Sequence, residues 1–335
     1  LRRPFHDRAF RLARATRSQA PAEISLAKQF IVKWSYSEEE AYPLITVVGS
    51  INIDLVVHTG TMPVLGETVL GGEFQMNPGG KGANQAVAAA RLGADVTMIG
   101  KVGNDPYGKL VTDNLQNEQI NTDYIEVEKD GHTGVAMITV TNNDNAIVVA
   151  PGANFSWKPE DAAQYRDVFK QTNVLVLQLE VPLPFIEKIA KIGKEERCIV
   201  ILNPAPAQPL PSSLLDLVDY ITPNETECQT IFKQSVEQAV QRYPNKLLVT
   251  EGKKGAAYHD GQQLVQVNGF PANVVDTTGA GDTFNGALAA ALASGQQLTE
   301  AVTFANAAAS LSVEQAGAQA GMPSKQQVLD RLGSS

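Results

Sequence analysis

The sequence predicts an α/β fold: a mainly parallel central sheet with helices on both faces, and a small separate β-sheet. Short apolar, β-branched runs recur along the chain with helix-length segments between most of them. That alternation belongs to parallel strands buried on both faces. Two stretches, 54–78 and 125–149, break it and read as strands and turns with no helix. A sheet built from them needs a covered face, so it is expected to close over a cleft or to pack against another subunit.

Taken in order, residues 1–43 stand apart, with eight Lys/Arg against five Asp/Glu and an arginine-rich start from Arg2 to Arg17. This extension is expected to lie outside the fold, as a disordered leader or as sequence translated from upstream of the true start. An organelle transit peptide is the alternative that such composition allows. From Leu44 the pattern is regular. LITVVGS (44–50) is a buried strand. ANQAVAAARLG (83–93) is a helix closed by Gly93, and ADVTMIGKVG (94–103) returns as a strand. Within 125–149, Asn-Asn-Asp-Asn marks a turn in GVAMITVTNNDNAIVV. Further strands are VLVLQL (174–179), CIVIL (198–202), VDYIT (218–222) and KLLVT (246–250). GALAAALASG (286–295) and the stretch 298–317 are helical, their small apolar residues suited to close packing.

Composition excludes several classes. A net charge of −9 gives no support to nucleic-acid binding. No apolar run approaches the roughly 18 residues of a membrane span. Cys198 and Cys228 make no metal or redox spacing and are expected to be buried as small hydrophobes. The four histidines are scattered, which argues against a histidine metal site.

Three glycine-rich loops compete as phosphate sites. GNDPYGK (103–109) fits the first seven positions of a P-loop, but Leu110 stands where Ser or Thr must hold Mg2+. Pro106 also removes an amide, so this loop is rejected. No GxGxxG follows strand 44–50, which disfavours a dinucleotide fold. NPGGKGAN (77–84) places paired glycines before a helix, with Lys81 and Asn84 beside them; a plain tight turn is its bland reading. In DTTGAGD (276–282), Gly279, Ala280 and Gly281 leave amides free to line a concavity at a helix start, an anion site. The same field keeps Asp282 ionised, as a base that takes a hydroxyl proton during phosphoryl transfer requires. A simple helix cap is the alternative for Asp282 alone.

NPGGKGANQAVAAARLGADVTMIGKVG resembles the first signature of the ribokinase (PfkB) family of sugar kinases, and DTTGAGDTFNG resembles the second. PNETE (223–227), the order and the separation fit as well, over about 44–330. The resemblance implies a three-layer α/β/α kinase domain over 44–335, with a β lid from about 54–78 and 125–149. It implies ATP-dependent phosphorylation of D-ribose at the 5-hydroxyl, in the cytoplasm, by a homodimer joined through the lid. Asn52, Asp54, Gly80, Lys81, Asn84 and Glu180 would hold the sugar, with Asp282 as base and Gly279, Ala280 and Gly281 as the anion hole. Asn224 and Glu227 would sit near the phosphates and the water shell of Mg2+. Thr250, Glu251, Gly252, Lys253, Lys254, Gly255 and Asn306 would line the nucleotide site. Asp276, Thr278, Ser312, Gln315, Gly317 and Gly321 would surround K+, several of them through backbone carbonyls.

Some positions depart from the family or keep a plainer reading. Gly321 replaces a common serine, which puts one side-chain ligand in doubt, and Asn306 stands where a histidine is often found. Glu180 also reads as an ordinary strand-end carboxylate, Lys253 and Lys254 as solvated loop charges, and Asn203 as the start of a turn before Pro204. Rival readings are a sister kinase for deoxyribose, fructose, a nucleoside or a related alcohol, and a sugar-binding regulator without catalysis.

Overall fold

The structure, a computed structural model, describes residues 44–141 and 145–333. The expectations for 1–43, and for residues 142–144 of the Asn-Asn-Asp-Asn turn, lie outside the described residues. Six parallel strands make the central sheet: β1 (Leu44–Val48), β4 (Asp95–Gly103), β5 (Asn121–Glu128), β8 (Val174–Leu177), β9 (Ile199–Leu202) and β10 (Tyr220–Ile221). Their order is β10-β9-β8-β1-β4-β5. Alternate strand residues enter two apolar cores. Val174 and Val176 pack with alanine-rich helices on one face, and Leu175 and Leu177 pack with Phe169, Phe185 and Leu214 on the other. That two-sided burial is why these strands are continuous apolar runs.

The helices are α1 (Lys81–Arg91), α2 (Pro106–Asn117), α3 (Arg166–Phe169), α4 (Leu183–Glu195) and α5 (Ser212–Leu217). They continue as α6 (Glu225–Phe232), α7 (Val236–Arg242), α8 (Ala280–Ala293), α9 (Leu298–Ser312) and α10 (Lys325–Gly333). Gly93, at φ 89°, ends α1: its N–H bonds the Ala90 carbonyl and that of Ala94 bonds the Ala89 carbonyl. The final predicted helix is shorter than 298–317; it stops at Ser312, and the chain turns through Gly317 at φ 86°.

The small sheet contains β2 (Asn52–His58), β3 (Phe74–Gly79), β6 (Gly134–Val140) and β7 (Asn145–Ala150), in the order β3-β2-β6-β7. Its register separates two faces. Asn77, Asp54, Ala136 and Val149 form one cross-strand row, and Met76, Leu55, Met137 and Val148 form the next, on the opposite face. One boundary differs from the sequence reading. Residues 125–128 do not join this sheet; they continue β5 along the edge of the central sheet. NTDYIEVE alternates over its first half between exposed and half-buried residues because an edge strand has one wet face. A third, antiparallel sheet, β11 (Val249–Thr250), β12 (Gly255–His259) and β13 (Leu264–Asn268), extends the central one through bridges from Ile221 to Leu247 and from Asn224 to Thr250.

From β1 the chain goes to β4 and β5 on one side, then to β8, β9 and β10 on the other. The strand order therefore reverses at β1, and a crevice at the carboxyl ends of β1 and β8 is where such sheets take ligands.

Candidate active site

Residues at that crevice come from the ends of successive strands. Ser50, Asn52 and Asp54 follow β1, Gln178 and Glu180 follow β8, Asn203 follows β9, and Thr222 and Asn224 follow β10. Opposite them stand the first turns of α1 and α8. The turn into α1 passes so close to β2 that side chains have no room. A Cβ on Gly79 would lie 2.4 Å from the Asp54 carboxylate, and one on Gly80, at φ 89°, would lie 2.8 Å from the Asn52 backbone nitrogen. The paired glycines are thus a close approach and not a plain turn.

Helices α1 and α8 also touch closely, which the alanine-rich sequence allows: a Cβ on Gly286 would come within 2.6 Å of Ala88 Cβ. One helical turn before each contact residue, this crossing brings Asp282 onto α1. Asp282 is 7% exposed. Its Oδ2 accepts from Asn84 Nδ2 at 3.0 Å and its Oδ1 from Gln85 Nε2 at 2.9 Å. Asn84 is held in turn by Gln319 Nε2 at 3.0 Å. The Glu180 carboxylate accepts from the Ser50 hydroxyl and from the Lys81 N–H, so it faces the crevice and is not an idle strand end. Asn52 Oδ1 accepts from Asn154 Nδ2 at 2.7 Å.

These groups form one charged cluster. Burial, then the Glu180 and Asp282 carboxylates, push the Asp54 pKa up to about 7 against the pull of Lys81. Burial works against the Lys81 ammonium, but Asp282, Glu180, Glu227 and Asp54 outweigh it and hold its pKa above the ordinary value. Burial raises Glu227 as well, opposed by the Asn224 N–H and Lys81. Asn224 and Glu227 form a capping box at the start of α6, each side chain accepting from the other's N–H, at 2.8 and 2.9 Å.

At the start of α8, Gly279 has φ 77° and a Cβ there would meet Ala318 at 2.9 Å, whereas a Cβ on Gly281 would meet nothing within 4 Å. The Ala280 N–H is taken by the Thr277 carbonyl at 3.2 Å. Among the described residues, no backbone carbonyl takes the N–H groups of Gly281 and Asp282. A helix start with two free amides beside a fixed carboxylate can receive an anion and accept a proton from a neighbouring hydroxyl.

The candidate cation residues lie on two adjoining loops. Asp276 accepts from the Thr278 hydroxyl at 2.7 Å and from the Gly317 N–H at 2.8 Å. Burial opposes ionisation of Asp276, yet these hydrogen bonds prevail and hold its pKa below the usual value. A Cβ on Gly321 would lie 2.3 Å from the Ser312 carbonyl oxygen and 3.5 Å from that of Gln315. Glycine at 321 thus leaves room beside two carbonyl oxygens, donors of the kind that hard cations take.

The nucleotide candidates form a separate, more open surface. Thr250 N–H bonds the Pro223 carbonyl at 2.9 Å, joining β11 to the PNETE loop. Glu251 N–H bonds the Gly255 carbonyl across the exposed Gly252–Lys254 turn. Lys253 is exposed, and the Lys254 ammonium lies 3.5 Å from Glu225, as solvated loop charges do. Asn306 is buried and donates to the Val267 and Asn268 carbonyls at 2.9 and 3.2 Å, so its amide nitrogen braces β13. The rejected loop at 103–110 is a capped helix start: Asp105 itself accepts from the Gly108 N–H and fills the place a phosphate would take.

Sequence reasoning missed Gln85, Gln178 and Asn154, and left Asn203 as a turn starter. Asn203 is buried, donates to the Thr222 carbonyl at 3.1 Å and accepts from Gln85 at 3.2 Å. A signal for Gln85 was its place beside Asn84 on an alanine-rich helix, where a buried amide needs a partner.

Residues 43–325 match the pfkB family of carbohydrate kinases, and the chain belongs to that family. It is 46% identical over 289 residues to a ribokinase of Bacillus subtilis (strain 168), covering 86% of this chain and 99% of that protein. A deoxyribokinase of Salmonella typhi is 38% identical over 300 residues, covering 86% and 98%. A solved structure of Arabidopsis thaliana ribokinase complexed with ribose and ATP superposes with a TM-score of 0.81 at 35% identity, covering 88% of this chain and 100% of that one.

Proposed function

We propose that the chain transfers the γ-phosphoryl group of ATP to the 5-hydroxyl of D-ribose, giving D-ribose 5-phosphate and ADP. The observation that carries this reading is Asp282: a buried carboxylate fixed by two side-chain amides, in the first turn of α8, where the Gly281 and Asp282 N–H groups are free of backbone carbonyls. Asp282 takes the proton of the 5-hydroxyl as its oxygen bonds to the γ-phosphorus and ADP leaves. The Gly281 and Asp282 amides take up charge on the transferring group. Asp54, Asn52, Lys81, Asn84 and Glu180 hold the sugar, and closure of the small sheet excludes water. Thr250 to Gly255 and the wall braced by Asn306 receive the nucleotide. The ribokinase relatives, and the ribose and ATP in the Arabidopsis structure, support this choice of substrates.

Asn224 and Glu227 would hold the water shell of Mg2+, which neutralises phosphate charge. Asp276, Thr278, Ser312, Gln315, Gly317 and Gly321 would surround K+, which steadies the loop before the anion hole. The homodimer belongs to the same reading, supported by the half-exposed Met76, Met137 and Val148 on the outer face of the small sheet. So does a cytoplasmic location, where ATP is abundant.

Deoxyribose is the second reading, favoured by the Salmonella relative. An ADP-release assay with ribose, 2-deoxyribose, fructose and a nucleoside, with and without K+, tests both. Ribose is expected to give the highest kcat/KM; equal use of ribose and 2-deoxyribose would overturn the ribose assignment.

A further inference from the structure

We propose that Gln85 is a positioning residue that holds the Asp282 carboxylate in line for proton transfer, and that Gln178 sets which way the Gln85 amide points. The proposal rests on Asp282 being the base, as argued above. Gln85 is 0% exposed and so acts through Asp282, without reaching the substrate. Its Nε2 lies 2.9 Å from Asp282 Oδ1 and 3.2 Å from Asn203 Oδ1, which uses both of its N–H donors. Its Oε1 accepts from Gln178 Nε2 at 2.6 Å. Turning the amide over would set its oxygen against two acceptors and its nitrogen against a donor. Asn203 cannot yield, because its own Nδ2 donates to the Thr222 carbonyl at 3.1 Å.

A second observation shows that this orientation is imposed. Gln178 is fully buried, yet its Oε1 has no hydrogen-bond partner among the described residues. A buried acceptor left bare is unfavourable, and turning the Gln178 amide would only move the bare group onto Gln85. The result is one donor on each oxygen of the base, Asn84 on Oδ2 and Gln85 on Oδ1, which fixes the plane of the carboxylate. The charged groups facing it are Lys81 on α1, Asp54 on β2, Glu180 after β8 and Glu227 on α6. None of these holds its orientation as the two amides do.

The test compares Gln85→Leu, Gln178→Leu and Asp282→Asn in the full chain, by kcat, KM for ribose and ATP, and melting. Gln85→Leu is expected to lower kcat on the order of 10²-fold, as loss of alignment does, with both KM values nearly unchanged. Gln178→Leu removes one bare acceptor but leaves Gln85 Oε1 bare in its place, so its net cost to folding is small; it gives a smaller loss of kcat, again with both KM values nearly unchanged. A dead Asp282→Asn beside a Gln85→Leu of normal kcat overturns the positioning role and spares the base. An active Asp282→Asn overturns both. A loss confined to KM or to melting temperature also overturns the proposal. Should Gln85→Leu not fold, Gln178→Leu decides: an unmoved kcat overturns it, and a lowered kcat with unchanged KM supports it.

Discussion

On one side of the proposed site Asn84, Gln85, Asn203 and Asp282 are buried and bonded to one another. On the other, Asn224 and the 252–254 turn lie exposed, and a Cβ on Gly252 or Gly281 would meet nothing within 4 Å. The proposed sugar side is built in advance; the proposed nucleotide side is backbone and open space. Substitutions should therefore act differently on the two sides: by chemistry and alignment on the first, by occupancy on the second. The largest effect is expected from Asp282→Asn, which keeps shape but removes the proton acceptor. General-base loss costs on the order of 10²- to 10⁴-fold in kcat. Calorimetry should find ribose still bound. A variant with near-normal turnover would reduce Asp282 to a helix cap and remove the contrast.

The two glycines of the α8 start sharpen it. A side chain on Gly281 enters open space, so Gly281→Val is expected to melt like the parent while losing about 10²-fold in kcat/KM for ATP, because the side chain keeps the anion from the N–H groups, on the scale of an oxyanion donor made ineffective. Gly279 has φ 77° and lies against Ala318. Gly279→Ala should therefore lose stability, about 1–3 kcal/mol by chemical denaturation. If the two variants exchange behaviour, the concavity is not where the amides of Gly281 and Asp282 point.

The uneven build also explains what the sequence disclosed. LITVV, VLVL and IVIL were legible because parallel strands buried on both faces leave unbroken apolar runs. Residues 125–128 were misplaced because an edge strand, like the strands of the small sheet, mixes apolar and charged residues instead of forming an unbroken apolar run. The glycine loops were legible because backbone geometry restricts a position to glycine locally, as at Gly80 and Gly279. The Gln178–Gln85–Asn203 chain was not. Its members lie 93 and 118 residues apart, and each glutamine reads singly as an ordinary polar residue. Only the fold, by bringing β8, α1 and β9 to one crevice, gives them partners.

A smaller effect is expected at Asp54, which shares the cleft face of the lid with Asn77 and Ala136. Its carboxylate can accept from two adjacent hydroxyls, and a ligand lacking one leaves a buried acceptor bare. Asp54→Ala should raise KM for ribose roughly tenfold, the equivalent of about one charged hydrogen bond. It should also narrow the gap between ribose and 2-deoxyribose and leave KM for ATP nearly unchanged. A parallel rise in KM for ATP would show that the two sides of the site are not separate.

The last expected effect is on stability, and its sign is opposite to that of most buried contacts. The Asp54 pKa is pushed up to about 7 in the folded chain, by burial and then by Glu180 and Asp282, whereas an unfolded aspartate titrates near ~3.9. Between those values the folded state holds a proton that the unfolded state has released, so stability falls as pH rises through that window. Asp54→Asn carries no charge to bury. It should melt higher than the parent at pH 8, with the difference vanishing as pH falls toward about 4. Ribose binding should run the other way, because the ionised carboxylate is the acceptor: kcat/KM for ribose should rise with pH through about 7 in the parent, and Asp54→Asn should lack that limb. Melting curves at both pH values, beside the two pH profiles, decide it. A variant less stable than its parent at pH 8 would mean that Asp54 is held by hydrogen bonds in the free protein, and that the sugar side is not strained toward its ligand.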